Sequence, residues 1–328
     1  MDLLKILRSK IDALEEGDYI LGLQAVLLHI ETASNHLLRG REQEDETAFT
    51  DAIYRTNQAF EGSLKEAYRV LAERNPEKER SFDIEIFFER NDVFRQRVLA
   101  QFTSYRIEWR NPSAHDYKLD FDESEAFLAI VSVAAFACLI LDLITKRLSY
   151  VQVKTEADTK QLEIQERLAG TEKSDLLNRT TEILREFSHQ QSSFNIDGSK
   201  LTAIQVTGQL AGFFASAAPD LEILSEYKIS SETPAIADLI ISDKNSRVLI
   251  ELKRAGNGRQ LVDAGVAQVE RFMILSDIKA AVLFLFSDFG GKLDVQERIS
   301  SNVDGKILIL KSDNCDPTIQ MQRIVKRC

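Results

Sequence analysis

Cysteine is close to absent from this chain of 328 residues, which carries only Cys138, Cys315 and Cys328. The three show no metal-ligand spacing, and Cys138 sits inside an apolar run. This excludes a disulfide framework and fits a reducing cytoplasm. Histidine is also scarce: His29, His36, His115 and His189 are too scattered to assemble a zinc site from spacing. Positive charge is in deficit, with 41 Lys and Arg against 52 Asp and Glu and a formal net charge of −11. Long-range attraction to a polyanion is thereby excluded. That weighs more against a nonspecific nucleic-acid coat than against an enzyme, which needs only a local basic surface. The opening MDLLKILRSK is not expected to act as a cleavable signal, because acid and base interrupt it before an apolar core forms. One long apolar run exists, Ala126 to Leu141 (16 residues), and Asp142 follows it. A membrane span needs about 20 apolar residues, so the expectation is a buried central helix and no membrane.

What is present is ordinary globular material, 44% hydrophobic and 28% charged, in a chain long enough for two domains. The first half reads as helices. From Thr47 to Arg74, Ile53, Phe60, Leu64, Ala67 and Leu71 recur at steps that mark one helical stripe, and Asn75-Pro76 stops it. Tyr19–Leu38, Phe82–Tyr105 and Glu123–Leu148 are the other long candidates, with Asp122 and Glu125 as an N-cap pair for the last. Four such helices on short connections suggest a bundle. Lys154 to Glu186 carries eight acids and six bases and reads as a solvated connecting helix; the polar Ser188–Ser199 reads as a boundary. Beyond it a helix, Leu201–Ala218, precedes short β-like runs at 221–229, 235–241 and 247–253. A helix at 260–275, a strand at 280–286, a short helix and a last strand at 306–311 follow. The order α-β-β-β-α-β predicts a mixed α/β domain. The division is 1–150 helical, 151–200 connector and 201–328 α/β.

Two constellations carry chemistry. Glu251 and Lys253 lie two apart in VLIELKR, so a strand would place them on one face, with Ile250 and Leu252 on the packed face. Asp238, in the preceding apolar run AIADLII, would bring a second carboxylate beside Glu251 from a neighbouring strand. Two close carboxylates suit a hard cation, with waters and a phosphate in its remaining positions. Lys253 would orient or help deprotonate the attacking water, or offset charge on the phosphorane. Five Lys and Arg between Asp243 and Arg259 offer a local basic surface. Ordinary charged strand ends remain the bland alternative, since E-x-K also occurs at Glu226-Tyr227-Lys228.

The pattern resembles the PD-(D/E)xK nucleases over roughly 201–311, although Ala237 replaces the family's proline before Asp238. More distantly it resembles the Shedu type of phage-defence nuclease. The resemblance implies a restriction-endonuclease-like fold and Asp238 and Glu251 as ligands of Mg²⁺ or Mn²⁺. Lys253 would be the catalytic base-side residue, and Gln268, on the following helix, would support the site.

In the first half, Arg110-Asn111-Pro112-Ser113-Ala114-His115-Asp116-Tyr117 is the sharpest string. It resembles the R-x4-H-x-Y motif of HEPN domains, helical bundles that include metal-independent ribonucleases, over roughly residues 15 to 150. The resemblance implies a site built across a homodimer. His115 would move a proton while a ribose 2′-hydroxyl attacks its phosphate, Arg110 would hold the developing charge, and Asn111 would orient either partner. Pro112 forbids a continuous helix through the motif unless a new helix starts there. A structural Arg–carboxylate pair with a surface histidine is the alternative, and so is a degenerate domain that only dimerises or senses RNA. Tyr117 would either pack or be modified by a partner encoded nearby.

The sequence thus predicts a multidomain α and α/β protein acting on DNA with Mg²⁺ or Mn²⁺, in phage defence or a toxin-like system. A non-catalytic dimeric assembly protein is the alternative.

Overall fold

The structure is a computed structural model. It describes residues 2–14, 16–91, 93–94, 96–115, 120–171, 174–195, 200–230, 233, 235–255, 259–300, 302 and 304–312, excepting the side chains of 96, 97, 114, 115 and 259. The chain divides into two compact units, Met1–Arg147 and Leu148–Cys328. Cys315 and Cys328 lie outside the described residues.

The first unit is helical: α1 (Leu3–Asp12), α2 (Ile20–Gln43), α3 (Thr47–Leu71), α4 (Ser81–Arg90), α5 (Gln96–Tyr105), a π-helical turn Arg106–Arg110, α6 (Asn111–His115) and most of α7 (Glu123–Thr159). The stripe on α3 is buried as expected, including Ile53, Phe60, Leu64 and Ala67. Phe60 packs on Phe102, Tyr105 and Phe136, joining α3, α5 and α7 through one aromatic cluster. At the start of α7, the Asp122 amide donates to Glu125 and the Glu125 amide to Asp122, the reciprocal cap the sequence predicts.

Two expectations in this unit need correction. Phe82–Tyr105 is not one helix but α4 and α5: the Asn91 amide and side chain both donate to the Phe87 carbonyl and end α4. The candidate Glu123–Leu148 runs on to Thr159. By length and composition α7 could cross a membrane. One face of it, Ala126, Ala129, Val133, Ala134, Phe136, Ala137, Ile140, Leu141 and Ile144, is buried within the helical unit, while Phe127, Leu128 and Leu139 are exposed.

Pro112 is accommodated by the start of a new helix, as its chemistry requires. A proline cannot donate to the carbonyl four residues back, and its ring collides with it. Here the Asn111 amide reaches back five residues, to the Arg106 carbonyl, and α6 begins at Asn111 with Pro112 in its first turn.

The second unit is a six-stranded sheet with helices on both faces. Its elements are the end of α7, α8 (Gln161–Arg167), α9 (Leu176–Phe194), α10 (Ala203–Ala217), β1 (Glu222–Lys228), β2 (Ile236–Ser242), β3 (Arg247–Arg254), α11 (Arg259–Ser276), β4 (Ala280–Phe286), β5 (Leu293–Ile299) and β6 (Lys306–Ser312). Strand order is β1-β2-β3-β4-β6-β5. The β1–β2–β3 meander is antiparallel, β3, β4 and β6 are parallel, and β5 returns antiparallel to β6. Alternation along the strands sends Leu239, Ile241, Val248, Ile250, Val282 and Phe284 to the face under α9 and α10. It sends Ile240, Leu249, Ala281, Leu283 and Ile309 to the face under α11.

The segment Lys154–Glu186 is not a solvated connector. Leu176, Leu177, Ile183, Leu184 and Phe187 of α9 are buried in the same core as β2, β3 and β4. The expected short helix before β6 is β5, an exposed edge strand that Glu297 helps hold through an ion pair with Lys306.

Candidate functional site

Register brings two carboxylates together in the sheet. The β2–β3 ladder pairs Ser242 with Arg247 and ends at Leu239 with Ile250. The next step sets Asp238 opposite Glu251, on the α11 face. Beyond the ladder the Asp238 carboxylate replaces a backbone acceptor: its Oδ2 accepts the Leu252 amide at 2.7 Å. Opposed side chains on adjacent antiparallel strands have Cβ atoms about 5 Å apart, so the two carboxylates are neighbours, as the sequence predicts.

Glu251 stands in the middle of the sheet, facing Leu283 of β4 in the parallel ladder, and is only 2% exposed. Its Oε1 accepts Lys253 Nζ at 2.7 Å and Gln268 Nε2 at 2.6 Å. Its Oε2 is buried without a hydrogen-bond partner among the described residues. Burial, and next the charge of Asp238, push its carboxyl up to about 7, while Lys253 pulls the other way. Gln268 reaches the strand because α11 crosses β4 closely at Gly265, where a Cβ would come 2.9 Å from Leu283. All four residues proposed from sequence for this half therefore meet at one place.

The expected basic surface is corrected by the same geometry. Arg247 opens β3 and Arg254 closes it, seven residues and roughly 23 Å apart. Lys244 and Arg247 lie at the β2–β3 turn, at the far end from Lys253. Arg254 is paired with Asp288 at 2.7 Å, and the Arg259 side chain lies outside the described residues.

Two residues had no signal strong enough to single them out. Glu226 occupies the one position that the β1–β2 ladder skips, between the pairs Ser225–Leu239 and Tyr227–Ala237, opposite Asp238. Its φ of 56° is left-handed, which costs a non-glycine residue about 1–2 kcal/mol. Arg271 is exposed one helical turn beyond Gln268. Among the described residues, no cluster of three or more His, Cys, Asp or Glu is arranged to hold a metal. Two carboxylates with an unsatisfied inner oxygen still fit a cation that keeps most of its shell as water and phosphate.

In the helical unit the structure joins Arg110 and Asn111 but to different ends than a free catalytic pair. Arg110 donates to Glu61 of α3 from Nε at 3.3 Å and Nη2 at 3.0 Å, and to Asn111 Oδ1 at 3.1 Å. Asn57 donates to Ser113 at 2.6 Å, and Ser113 to the Arg110 carbonyl at 3.1 Å. The buried Tyr105 hydroxyl lies 2.8 Å from Asn57 Oδ1 and Thr56 Oγ1, and burial raises its pKa. A polar network thus pins α6 to α3. His115 ends α6; its side chain, and all of Asp116 and Tyr117, lie outside the described residues.

The chain was compared with protein-family models, with curated proteins and with solved structures, and none of them matches it.

Proposed function

We propose that the second unit is a metal-dependent DNA endonuclease of the PD-(D/E)xK, restriction-endonuclease-like kind. One observation carries this reading: Asp238 and Glu251 face each other across β2 and β3 while Lys253 and Gln268 both hold Glu251. The order α10-β1-β2-β3-α11-β4, with three antiparallel strands and a parallel fourth, supports it.

Asp238 and Glu251 would hold Mg²⁺ or Mn²⁺, which supplies Lewis-acid charge to a phosphate and an activated water. Gln268 fixes the Glu251 carboxylate through one oxygen and leaves the other free to coordinate. Lys253, 29% exposed and anchored at its neighbour's carboxylate, is placed to orient the attacking water and to offset charge growing on the phosphate. The leucines of β4 and the floor of α11 exclude bulk water beneath Glu251, which strengthens each of these interactions.

Purified protein should nick plasmid DNA with Mg²⁺ or Mn²⁺ and not in EDTA. Asp238→Ala, Glu251→Ala or Lys253→Ala should lower the rate by two or more orders of magnitude with the fold intact. Equal cleavage in EDTA would remove the metal mechanism.

For the helical unit the reading is a HEPN-like domain that dimerises and senses or cuts RNA, with phage defence or a toxin-like system as the setting. Arg110's ion pair with Glu61 favours the alternative in which this motif is structural and the unit mediates assembly.

A further inference from the structure

On the α11 side of the sheet a cleft of ≈ 520 Å³ is lined by Ala235, Ile236, Ala267, Gln268, Arg271 and Phe272. Its volume is within the range of ligand-binding clefts. Gln268 is shared: the same side chain lines the cleft and holds Glu251, so the cleft opens directly beside the carboxylate pair. Arg271 follows three residues later on the same helix face. Among the described residues Arg271 makes no hydrogen bond or ion pair, in a chain where most other arginines are tied to a carboxylate. The remaining lining is apolar. Across the β1–β2 ladder, Lys228 is the register partner of Ile236, which puts a second cation at this end of the sheet.

We infer that this cleft is the subsite for the nucleotide next to the scissile phosphate, with Arg271 as a substrate-positioning residue. The inference rests on the nuclease reading and names the part of the substrate that the cleft takes. An exposed guanidinium with free donors matches a phosphate bidentately. The apolar wall of Ala235, Ile236 and Ala267 with Phe272 at its floor suits the uncharged sugar and base face of the same nucleotide. A protein with a net charge of −11 has little long-range attraction for DNA, so local contacts of this kind must carry its grip on the strand.

The test is fluorescence anisotropy of a labelled DNA duplex with the full chain, in Ca²⁺ to hold the complex without turnover. Arg271→Ala should weaken binding about tenfold and reduce the slope of log K against log salt by about one. Arg271→Lys should recover part of the loss, and Lys244→Ala, a cation at the far end of β3, should change little. In Mg²⁺, KM for DNA should rise in Arg271→Ala while kcat changes by less. Equal losses in Arg271→Ala and Lys244→Ala, or no binding by the wild type, would overturn the subsite. If the wild type binds but does not cleave, and Arg271→Ala still binds about tenfold more weakly, the cleft stands as a nucleotide-binding site held by Arg271, and the nuclease reading, with its scissile phosphate, fails.

Discussion

Glu251 is a carboxyl held among leucines, and its own ionisation works against the fold. Its ordinary value is 4.5 and the folded protein raises it to about 7. The native state therefore binds more protons than the unfolded chain between those limits, and stability falls as pH rises through them. In metal-free buffer the melting temperature should decline across that window. Glu251→Gln should flatten the decline, and an unchanged slope in that variant would assign it elsewhere. Added Mg²⁺ should stabilise most above the window, where the carboxylate is already ionised. At the other constellation, Arg110 and Glu61 are each about a third exposed. An ion pair of that kind contributes no more than about 1 kcal/mol, so Arg110→Ala should barely move the melting temperature. If the pair with His115 is catalytic, RNA cleavage should persist in EDTA and leave 2′,3′-cyclic phosphate ends. Arg110→Ala and His115→Ala should then each lose at least about a hundredfold in rate. RNA cleavage that is unaffected by either substitution would make the motif a packing device. Asp238, Glu251 and Lys253 were legible because strand periodicity fixes faces, whereas Gln268 came only from the resemblance to the PD-(D/E)xK nucleases. Glu226 and Arg271 were not legible, since a skipped ladder position and an unpaired exposed arginine exist only in three dimensions.

Among the elements, continuous apolar runs were read correctly as β2, β3, β4 and β6, because central strands covered on both faces leave no polar side to confuse the pattern. β5 failed for the opposite reason: one face is solvent, it lies at the sheet's edge, and DVQER has no apolar alternation. α9 was hidden by counting charges over the whole segment, although Leu176, Leu177, Ile183 and Leu184 recur at helical spacing within it and Phe187 continues the stripe. Helix contacts in this unit are close enough to test. A Cβ at Gly212 on α10 would lie 2.3 Å from the Tyr150 carbonyl oxygen on α7, a backbone atom that cannot swing aside. Gly212→Ala should therefore destabilise by about 1–3 kcal/mol, even though alanine is the better helix former. Chemical denaturation showing a gain would mean that the two helices do not approach as described.

For the whole molecule, the nuclease proposal carries an assembly expectation. If the helical unit is HEPN-like, as proposed, its site is built from two chains, and the protein should be a homodimer that needs no detergent, with the buried stripe of α7 in the core of its own unit. Light scattering at micromolar concentration checks it. A monodisperse monomer would remove the shared Arg–His site while leaving Asp238 and Glu251 untouched, because those two come from adjacent strands of one chain.

The wide turn at Arg106–Arg110 bears on how such a chain can change over evolutionary time. A turn of this kind is what a one-residue insertion leaves when a helix absorbs it rather than looping it out. Each α-helical residue advances the chain by about 100°, so deleting one residue there would swing Ser113 away from Asn57. It would also drive the Pro112 ring into the carbonyl it now avoids. The wide turn and the proline are thus mutually dependent: a chain without the extra residue there would have no room for the proline ring.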